Sequence, residues 1–161
     1  RVSSFTSVNN DYRYQAYFTR TKWEHSVVTL TKLYDKNYDE EQTVPSGRTP
    51  GINLVRLPEL FYILAESVYD RDPAAALDYL NRVVTARGLL PLEAGDIDTP
   101  GKFRDELINE ITKEYWGEGQ IFFTNKRFWL AMEGVNGKRH AASDETYVLP
   151  LPESENSEGI N

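Results

Sequence analysis

Apolar positions recur with helical periodicity in the centre of the chain. From residue 57 onward they follow the i, i+3, i+4, i+7, i+8 spacing of a helix that buries one stripe. The members of this stripe are Leu57, Leu60, Phe61, Leu64, Ala65 and Val68. Pro58 suits the first helical turn, where its missing N–H leaves no hydrogen bond unmade. The pattern predicts a first helix from about Leu57 to Val68.

A second helix is predicted directly after a break at residues 70–73 (DRDP). Asp72 can cap this helix, Pro73 can open it and Gly88 can end it. Its apolar face consists of Ala76, Leu77, Leu80, Val83 and Val84. Two short helices joined by a tight turn form an αα-hairpin, similar in size to one tetratricopeptide unit. A tetratricopeptide array repeats this unit about every 34 residues, and the sequence shows no clear second copy.

A third helix is predicted to open at residues 99–101 (TPG) and to bury another apolar stripe. That stripe is Phe103, Leu107, Ile108, Ile111 and Tyr115. Gly117 and Gly119 interrupt the pattern. Residues 120–132 are rich in aromatic side chains and predict a further helix.

Irregular structure is predicted towards both ends of the chain. Residues 1–53 are rich in Ser, Thr, Asn and Tyr, with one β-prone run at residues 26–31 (SVVTLT). Residues 134–144 predict a loop, and residues 147–152 an extended segment, because proline and the residue before it avoid the α region. The fold class is therefore mainly α: a tetratricopeptide-like helical hairpin, further packed helices and an irregular, loop-rich segment. We predict that this irregular segment belongs to the same domain as the helical region 54–161.

Composition narrows the classes of function. The 161 residues suffice for one domain with a core, and the net charge of −7 argues against binding to nucleic acid or to anionic lipid. The absence of cysteine excludes disulfides and thiolate chemistry. No apolar run reaches the roughly 18 residues of a membrane-spanning helix. Because the chain begins with Arg1, we expect a fragment or processed piece whose export or lipid-anchor signal lies upstream.

Four phrases, in this order, resemble the C-terminal part of the SusD/RagB family. They are residues 54–66 (LVRLPELFYILAE), 72–88 (DPAAALDYLNRVVTARG), 111–127 (ITKEYWGEGQIFFTNKR) and 147–155 (YVLPLPESE). Residues 11–13 (DYR) are a weaker match to an Asp-x-Arg element of the family. The chain departs from the usual family residues at three positions, with Ile121 in place of an Arg, Thr124 in place of an Asp and Pro58 in place of an Ala.

The resemblance implies an outer-surface lipoprotein of Bacteroidetes that helps to capture glycans and is not an enzyme. It implies a tetratricopeptide-like scaffold with a variable region that holds the ligand. The expected partners are an oligosaccharide and a SusC-like, TonB-dependent outer-membrane transporter. The expected location is the outer membrane at the cell surface, with a lipid anchor on the N-terminal part that this chain lacks.

Charged residues on the third helix are assigned a structural role. Four glutamates lie four residues apart: Glu106, Glu110, Glu114 and Glu118. Two carboxyls could hydrolyse a glycosidic bond if they faced each other across a sugar, about 5–5.5 or 6.5–9.5 Å apart. On one helix face we predict instead a solvated stripe paired with Lys102, Arg104 and Lys113.

Arg56, which with Glu59 frames the first helix, is predicted to make a structural Arg–carboxylate contact.

Metal and cofactor sites are not predicted. Residues 35–39 (DKNYD) space oxygen ligands like the start of a calcium loop, but the Gly and Glu that an EF-hand needs later are missing. A looser Ca²⁺ site within residues 35–41 is left open. The two histidines, His25 and His140, have no ligand-spaced partner, and there is no Gly-rich phosphate loop.

Aromatic residues outside the helical phrases supply the candidate sugar site. Aromatic faces stack on the apolar C–H face of a sugar ring, while Asp and Asn side chains bond its hydroxyls. The predicted ligand-binding residues are Trp23, Tyr34, Tyr38, Asp35 and Asn37. The helical aromatics are predicted to be core or packing residues: Phe61, Tyr62, Tyr79, Phe103, Tyr115, Phe122, Phe123 and Phe128.

The residues and the resemblance together favour a cell-surface glycan-binding protein for nutrient uptake. One alternative is a helical protein-interaction scaffold that contacts the transporter and holds no sugar site. Another is a glycoside hydrolase that uses the glutamates. A sugar binder needs exposed aromatic faces, a scaffold needs a broad and partly apolar patch, and a hydrolase needs two carboxyls across a cleft, at least one with a perturbed pKa.

Overall fold

A computed structural model of the chain describes residues 11–20, 28–32, 55–134 and 136–150. These residues are mainly helical, which confirms the predicted mainly α fold. The chain divides into two compact units, Arg1–Glu118 and Gly119–Asn161. Each unit is described separately below.

The first described helix, α1 (Tyr12–Tyr17), lies within the segment that was predicted to be irregular. It begins at Asp11, whose carboxylate accepts a hydrogen bond from the Arg13 N–H at 3.0 Å. This N-cap satisfies one of the amides that have no partner inside a helix. The prediction of irregular structure is therefore wrong at these residues, because the Asp11 cap starts a helix in a segment whose composition favours loops.

Two short strands follow this helix. Strand β1 (Phe18–Arg20) pairs antiparallel with β2 (Val28–Leu30), so that Phe18 lies opposite Leu30. Strand β2 lies inside the β-prone run 26–31, which confirms the local prediction for those three residues.

The predicted helical hairpin is confirmed at both of its helices. Helix α2 (Leu57–Val68) has the predicted bounds, and α3 (Pro73–Ala86) begins at the predicted proline. The Asp72 carboxylate caps α3 by accepting a hydrogen bond from the Ala75 N–H at 3.0 Å. Pro73 costs this helix no hydrogen bond, because the first amides of a helix have no partner within it.

Helix α3 ends where Gly88 was predicted to end it. Gly88 has a φ of +78°, a conformation that glycine adopts without strain. The Gly88 N–H donates to the Thr85 carbonyl at 3.0 Å, and the Leu89 N–H donates to the Val84 carbonyl at 3.3 Å. These two bonds form a Schellman motif, which satisfies carbonyls at the helix end.

Helix α2 buries only part of the predicted stripe: Ala65 is buried as predicted, but the leucines of the stripe are not. Tyr62 and Ala65 are buried, as is Tyr69 just after the helix. The Tyr62 hydroxyl donates to the Glu110 carbonyl at 3.4 Å, and the Tyr69 hydroxyl donates to the Ile97 carbonyl at 2.8 Å. Each tyrosine thereby buries a large ring while its polar end keeps a partner. The leucines predicted to be buried are exposed: Leu57, Leu60 and Leu64.

The other buried faces in this unit follow the sequence pattern. Helix α4 (Pro100–Glu114) is capped by Thr99, and the Phe103 ring stacks on Tyr69 with 3.9 Å between ring centroids. A single 3₁₀ turn (Ala94–Asp96) lies between α3 and α4. The buried apolar residues of α3 and α4, with Tyr115 after them, are Ala76, Leu80, Val83, Val84, Phe103, Leu107, Ile111 and Tyr115.

The second unit opens with α5 (Gln120–Arg127), which ends earlier than the predicted residue 132. Phe128 ends the helix, and Trp129 after it has a φ of +54°. A residue in this left-handed conformation cannot continue a right-handed helix. Helical periodicity alone gave no sign of this stop, because the stop residue is not glycine.

The rest of the second unit is a small hairpin and a short helix. Strand β3 (Met132–Glu133) pairs antiparallel with β4 (Arg139–His140). Strand β3 lies directly before the predicted loop 134–144, and β4 lies within it. Helix α6 (Asp144–Tyr147) is capped by the Ser143 side chain. Tyr147, where the predicted extended segment begins, is therefore helical, whereas Val148 is extended. Residues 151 and 152 of that segment lie outside the described residues.

Candidate functional site

The candidate sugar site predicted from the sequence lies outside the described residues. This applies to all five of its members, Trp23, Tyr34, Asp35, Asn37 and Tyr38. The looser calcium site of residues 35–41 and His25 also lie outside them. These assignments stay predictions.

A buried cluster of charges lies at the centre of the first unit. Glu114 of α4 is fully buried, and its two carboxylate oxygens accept hydrogen bonds from Arg87 Nε and Nη2, both at 2.9 Å. Arg56 Nη1 donates to the same carboxylate at 3.1 Å. Arg87 is the C-cap of α3 and Arg56 the N-cap of α2, so one glutamate joins both helices of the hairpin to α4.

Arg13 extends this cluster to α1. Its guanidinium is buried and donates to the Asp11 carboxylate through Nε and Nη2 and to Glu110 Oε2 through Nη1, at 2.8–3.2 Å. The Nη1 atom also lies 3.5 Å from Glu114 Oε2. Burial alone would lower the pKa of Arg13, but the hydrogen bond to Asp11 and the charge of Glu110 raise it above its usual value. Arg13 is therefore a permanent cation, and each of its three side-chain nitrogens has a carboxylate partner.

The same cluster reaches the strand pair through Lys32. The Lys32 ammonium lies 2.5 Å from Glu118 Oε1 and 3.9 Å from the centroid of the Tyr17 ring. Arg56 Nη2 contacts the same Glu118 oxygen at 3.2 Å. On the other side of the cluster, Lys113 donates to Glu110 at 2.7 Å. The charges thus connect α1, the residues directly after β2, and helices α2, α3 and α4.

These contacts correct the prediction of a solvated glutamate stripe. Glu110 and Glu114 are buried, and of the predicted cations only Lys113 pairs with either of them. Burial would raise the pKa of Glu114, but the hydrogen bond from Arg87 and the charges of Arg56 and Arg13 lower it below its ordinary value. A general acid needs a raised pKa, and a nucleophile needs open access to substrate. The geometry at Glu114 therefore fits the structural role that was predicted for these glutamates.

The sequence carried a signal for part of this cluster that was not used. Asp11 and Arg13 were noted only as a weak family match. An Asp that can serve as an N-cap is a local signal for the start of a helix, whereas helical spacing does not predict an ion pair between residues two apart. Their partner Glu110 is 97 residues away in the chain, so no local pattern could identify it.

An apolar face of α2 is exposed at the surface of the first unit. Leu57, Leu60 and Leu64 follow helical spacing on one side of α2, and Ile63 and Val55 lie beside them. All five side chains are at least 40% exposed. We call these five residues the leucine face. A contiguous apolar face of this kind is typical of a surface that contacts a partner.

A cleft of about 440 Å³ lies beside the turn between α2 and α3. Tyr69, Asp72, Leu77 and Asp98 are among its lining residues. Among its lining residues in the described part of the chain, the aromatic one is Tyr69, which is buried and already stacked on a neighbouring ring. The cleft therefore offers no exposed flat face for a sugar ring.

The second unit carries a row of four neighbouring rings. Phe123 lies against Phe122, Phe122 against Tyr147, and Tyr147 against Trp129, with centroid distances of 5.5, 5.6 and 5.7 Å. Tyr147 is buried, whereas Phe123 is 63% exposed and Trp129 is 53% exposed. The exposure of Phe123 corrects its prediction as a core residue. The exposed ends of this row are flat apolar faces in contact with solvent.

Two classes of site are absent from the described residues. In the four described ranges, no group of three His, Cys, Asp or Glu side chains could hold a metal ion. In the same part of the chain, no helix has the length and apolar content to cross a bilayer.

One sequence family matches this chain. The family model described as the SusD family matches residues 5–159, which is nearly the full length. No curated protein and no solved structure matches the chain. The match confirms the family that the four sequence phrases indicated and extends it across both compact units.

Proposed function

The chain belongs to the SusD family, and from this premise we propose that it is a cell-surface glycan-binding protein for nutrient uptake. Members of this family are binding proteins and not enzymes. The family match over residues 5–159 is the observation that carries the proposal. The proposed ligand is an oligosaccharide or polysaccharide.

The described carboxylates support a binding role over hydrolysis. Glu110 and Glu114 are buried against arginines, and the pKa of Glu114 is lowered rather than raised. A sugar would instead be held by aromatic stacking and hydrogen bonds to its hydroxyls. Affinity would be modest, because each hydroxyl must lose water before it can bond to the protein.

The proposed location and partner follow the family. The protein would lie on the outer membrane at the cell surface, held there by a lipid anchor. There it would present glycan to a SusC-like, TonB-dependent transporter. A net charge of −7 gives the chain little attraction for anionic lipid of its own, which is consistent with anchoring by a lipid.

The sugar site is proposed at Trp23, Tyr34 and Tyr38, with Asp35 and Asn37 beside them. A glycan panel tested by calorimetry checks this assignment. We expect Trp23→Ala and Tyr34→Ala each to raise the Kd about tenfold, since each removes one stacking face. Trp116→Phe is the matched control, because the Trp116 ring already packs edge-on against Phe18 at 6.5 Å. Circular dichroism of each variant checks that folding is retained.

The second candidate function is a scaffold that contacts the transporter and holds no sugar site. The observation that favours it is the leucine face of α2, whose side chains are exposed. Co-purification of the chain with its transporter tests this function. Loss of the complex in Leu60→Glu, with glycan binding absent from the parent protein, would favour the scaffold over the glycan-binding protein.

A further inference from the structure

We propose that Trp129 is a glycan-contacting residue whose indole stacks on the C–H face of a pyranose ring. This inference rests on the proposed function and assigns it a sugar contact in the second unit, at a residue that is not among the five predicted ligand-binding residues. The ligand class is an oligosaccharide with at least one accessible apolar ring face. Four observations support the proposal: the backbone conformation of Trp129, the bonds that hold it, its exposure and its neighbouring rings.

The backbone of Trp129 adopts a conformation that favours glycine. Its φ is +54°, which for a bulky side chain is a strained value. Trp129 lies at the position directly after the C-cap of α5, where its N–H donates to the Lys126 carbonyl at 3.2 Å. The Leu130 N–H donates to the Asn125 carbonyl at 2.9 Å and completes a Schellman motif. Glycine would close this motif without strain, so the turn itself does not require the indole.

The surrounding structure holds Trp129 in this conformation. The Tyr147 hydroxyl donates to the carbonyl of Leu130, the next residue in the chain. The Lys126 ammonium donates in turn to the Tyr147 carbonyl at 2.8 Å. Strained residues persist when their surroundings fix them, and such residues cluster at ligand-binding sites. The bonds around Tyr147 meet that condition from both sides of the turn.

The exposure of the indole indicates that packing is not its main use. Trp129 is 53% exposed, whereas the Tyr147 ring beside it is buried. The two rings are tilted by 44° with centroids 5.7 Å apart, so Tyr147 supports one side of the indole. Phe122 lies against Tyr147 from another side, at 5.6 Å. A supported, half-exposed indole is pre-organised for stacking, because little side-chain freedom remains to be lost on binding.

The test uses the indole N–H signals of the whole chain in nitrogen-15 NMR spectra. The chain has three tryptophans, so three indole signals are expected, and one Trp→Phe variant for each assigns them. Neutral and acidic oligosaccharides are then titrated into the parent protein. We expect the Trp129 signal to shift with glycan concentration. A side chain with a purely structural role would show no such shift.

Three variants measure the contribution of the ring. Trp129→Gly removes the indole and the backbone strain together, so its fold is expected to be at least as stable as that of the parent. We expect its glycan Kd to rise about tenfold. Trp129→Phe retains a flat ring and should keep most of the affinity. Trp129→Leu retains apolar volume without a flat face and should behave like Trp129→Gly.

Each outcome separates this inference from the function on which it rests. If a glycan binds and moves only the Trp23 signal, the Trp129 contact is overturned and the proposed function stands. Equal affinity of the Phe and Leu variants would likewise overturn it. If calorimetry detects no glycan binding by the parent protein, the proposed function and this contact are both rejected.

Discussion

At the scale of single residues, Glu114 is the residue on which the packing of the first unit depends most. Its carboxylate lies within 3.1 Å of a nitrogen atom of Arg56 and of Arg87, and within 3.5 Å of Arg13. Those arginines come from three different elements. A buried carboxylate that satisfies several cations contributes little net stability compared with an apolar residue, but its loss leaves those cations uncompensated. The packing of the first unit therefore requires a glutamate at position 114.

Replacement of Glu114 by alanine is expected to destabilise the protein by about 3–5 kcal/mol, because three arginines then lack their shared anion. Urea unfolding monitored by circular dichroism measures this change. Glu106→Ala is the matched control on the same helix, since Glu106 is only partly buried. We expect the control to change stability by no more than about 0.5 kcal/mol. Similar effects of the two variants would show that the cluster is not a structural centre.

The pH dependence of stability follows from the same carboxylate. The pKa of Glu114 in the folded protein lies below its ordinary value of 4.5, because the Arg87 hydrogen bond and the neighbouring cations outweigh burial. A lowered folded pKa gives stability that is present above the unfolded value and is lost as pH falls through the folded pKa. We therefore expect the free energy of unfolding to decrease below about pH 4.5.

Glu114→Gln separates this effect from the titration of other carboxylates. The variant cannot lose a proton at this position, so its stability should depend less on pH than that of the parent over the acidic range. Urea unfolding at several pH values between about pH 3 and pH 6 compares how steeply the free energy of unfolding of the two proteins changes with pH. Identical slopes would mean that Glu114 does not contribute to the acid dependence.

At the scale of elements, helix ends were predictable because caps act locally. Asp72, Thr99 and Gly88 each take the predicted role, and each does so through neighbours within a few residues. The end of α5 was not predictable, because Trp129 occupies a position at which glycine is the usual signal. The buried face of α2 was predicted only in part, since Ala65 is buried as expected but the leucines are exposed. Leucines fit helical periodicity as well as tyrosines do, and distant partners decide which face is covered.

The Schellman motif at the end of α3 predicts that stability is sensitive to substitution of Gly88. Gly88→Ala should destabilise the protein by about 1–3 kcal/mol, because alanine is strained at positive φ. Its Cβ would also lie 2.6 Å from ring atoms of Tyr12. Gly101→Ala in α4 is the control, since its Cβ would have no neighbour within 4 Å and its φ is not positive. There we expect a gain of up to about 1 kcal/mol from higher helix propensity.

Thermal unfolding of Gly88→Ala and Gly101→Ala measures both changes. We expect Gly88→Ala to lower the stability of the protein and Gly101→Ala to raise it. A neutral Gly88→Ala would mean that the α3 end can adopt another conformation. It would also mean that the Tyr12 ring can move away without loss of stability.

At the scale of the whole molecule, the sequence predicted the family, the mainly α fold and part of the charge pairing, namely the contacts of Lys113 and Arg56 with carboxylates. The four family phrases span most of the chain, and the family match covers residues 5–159. The pairing of Arg13 with Glu110 depends on the folded chain, and the glutamate spacing alone favoured a solvated stripe. The candidate sugar site predicted at residues 23–38 stays a prediction. The Trp129 contact rests on a backbone angle that a sequence does not display.

The exposure of the leucine face predicts a small contribution of its side chains to stability, because exposed side chains of a binding surface stabilise a fold less than core side chains do. Leu60→Ala and Leu64→Ala should each change the free energy of unfolding by less than about 1 kcal/mol, since both side chains are at least 40% exposed. Leu80→Ala is the matched core control; Leu80 is fully buried on α3, and we expect a loss of about 2–5 kcal/mol. Urea unfolding compares the three variants under one set of conditions.

The double variant Leu60→Ala, Leu64→Ala tests what this face does in solution. Removal of two exposed leucines should reduce binding of the dye ANS and reduce self-association in sedimentation velocity, because both respond to apolar surface that water can reach. Leu80→Ala should instead leave ANS binding unchanged or increase it, since a weakened core exposes more apolar surface. If the double variant unfolded at much lower urea than the parent, the leucines would be packing residues. The leucine face would then no longer support contact with a transporter.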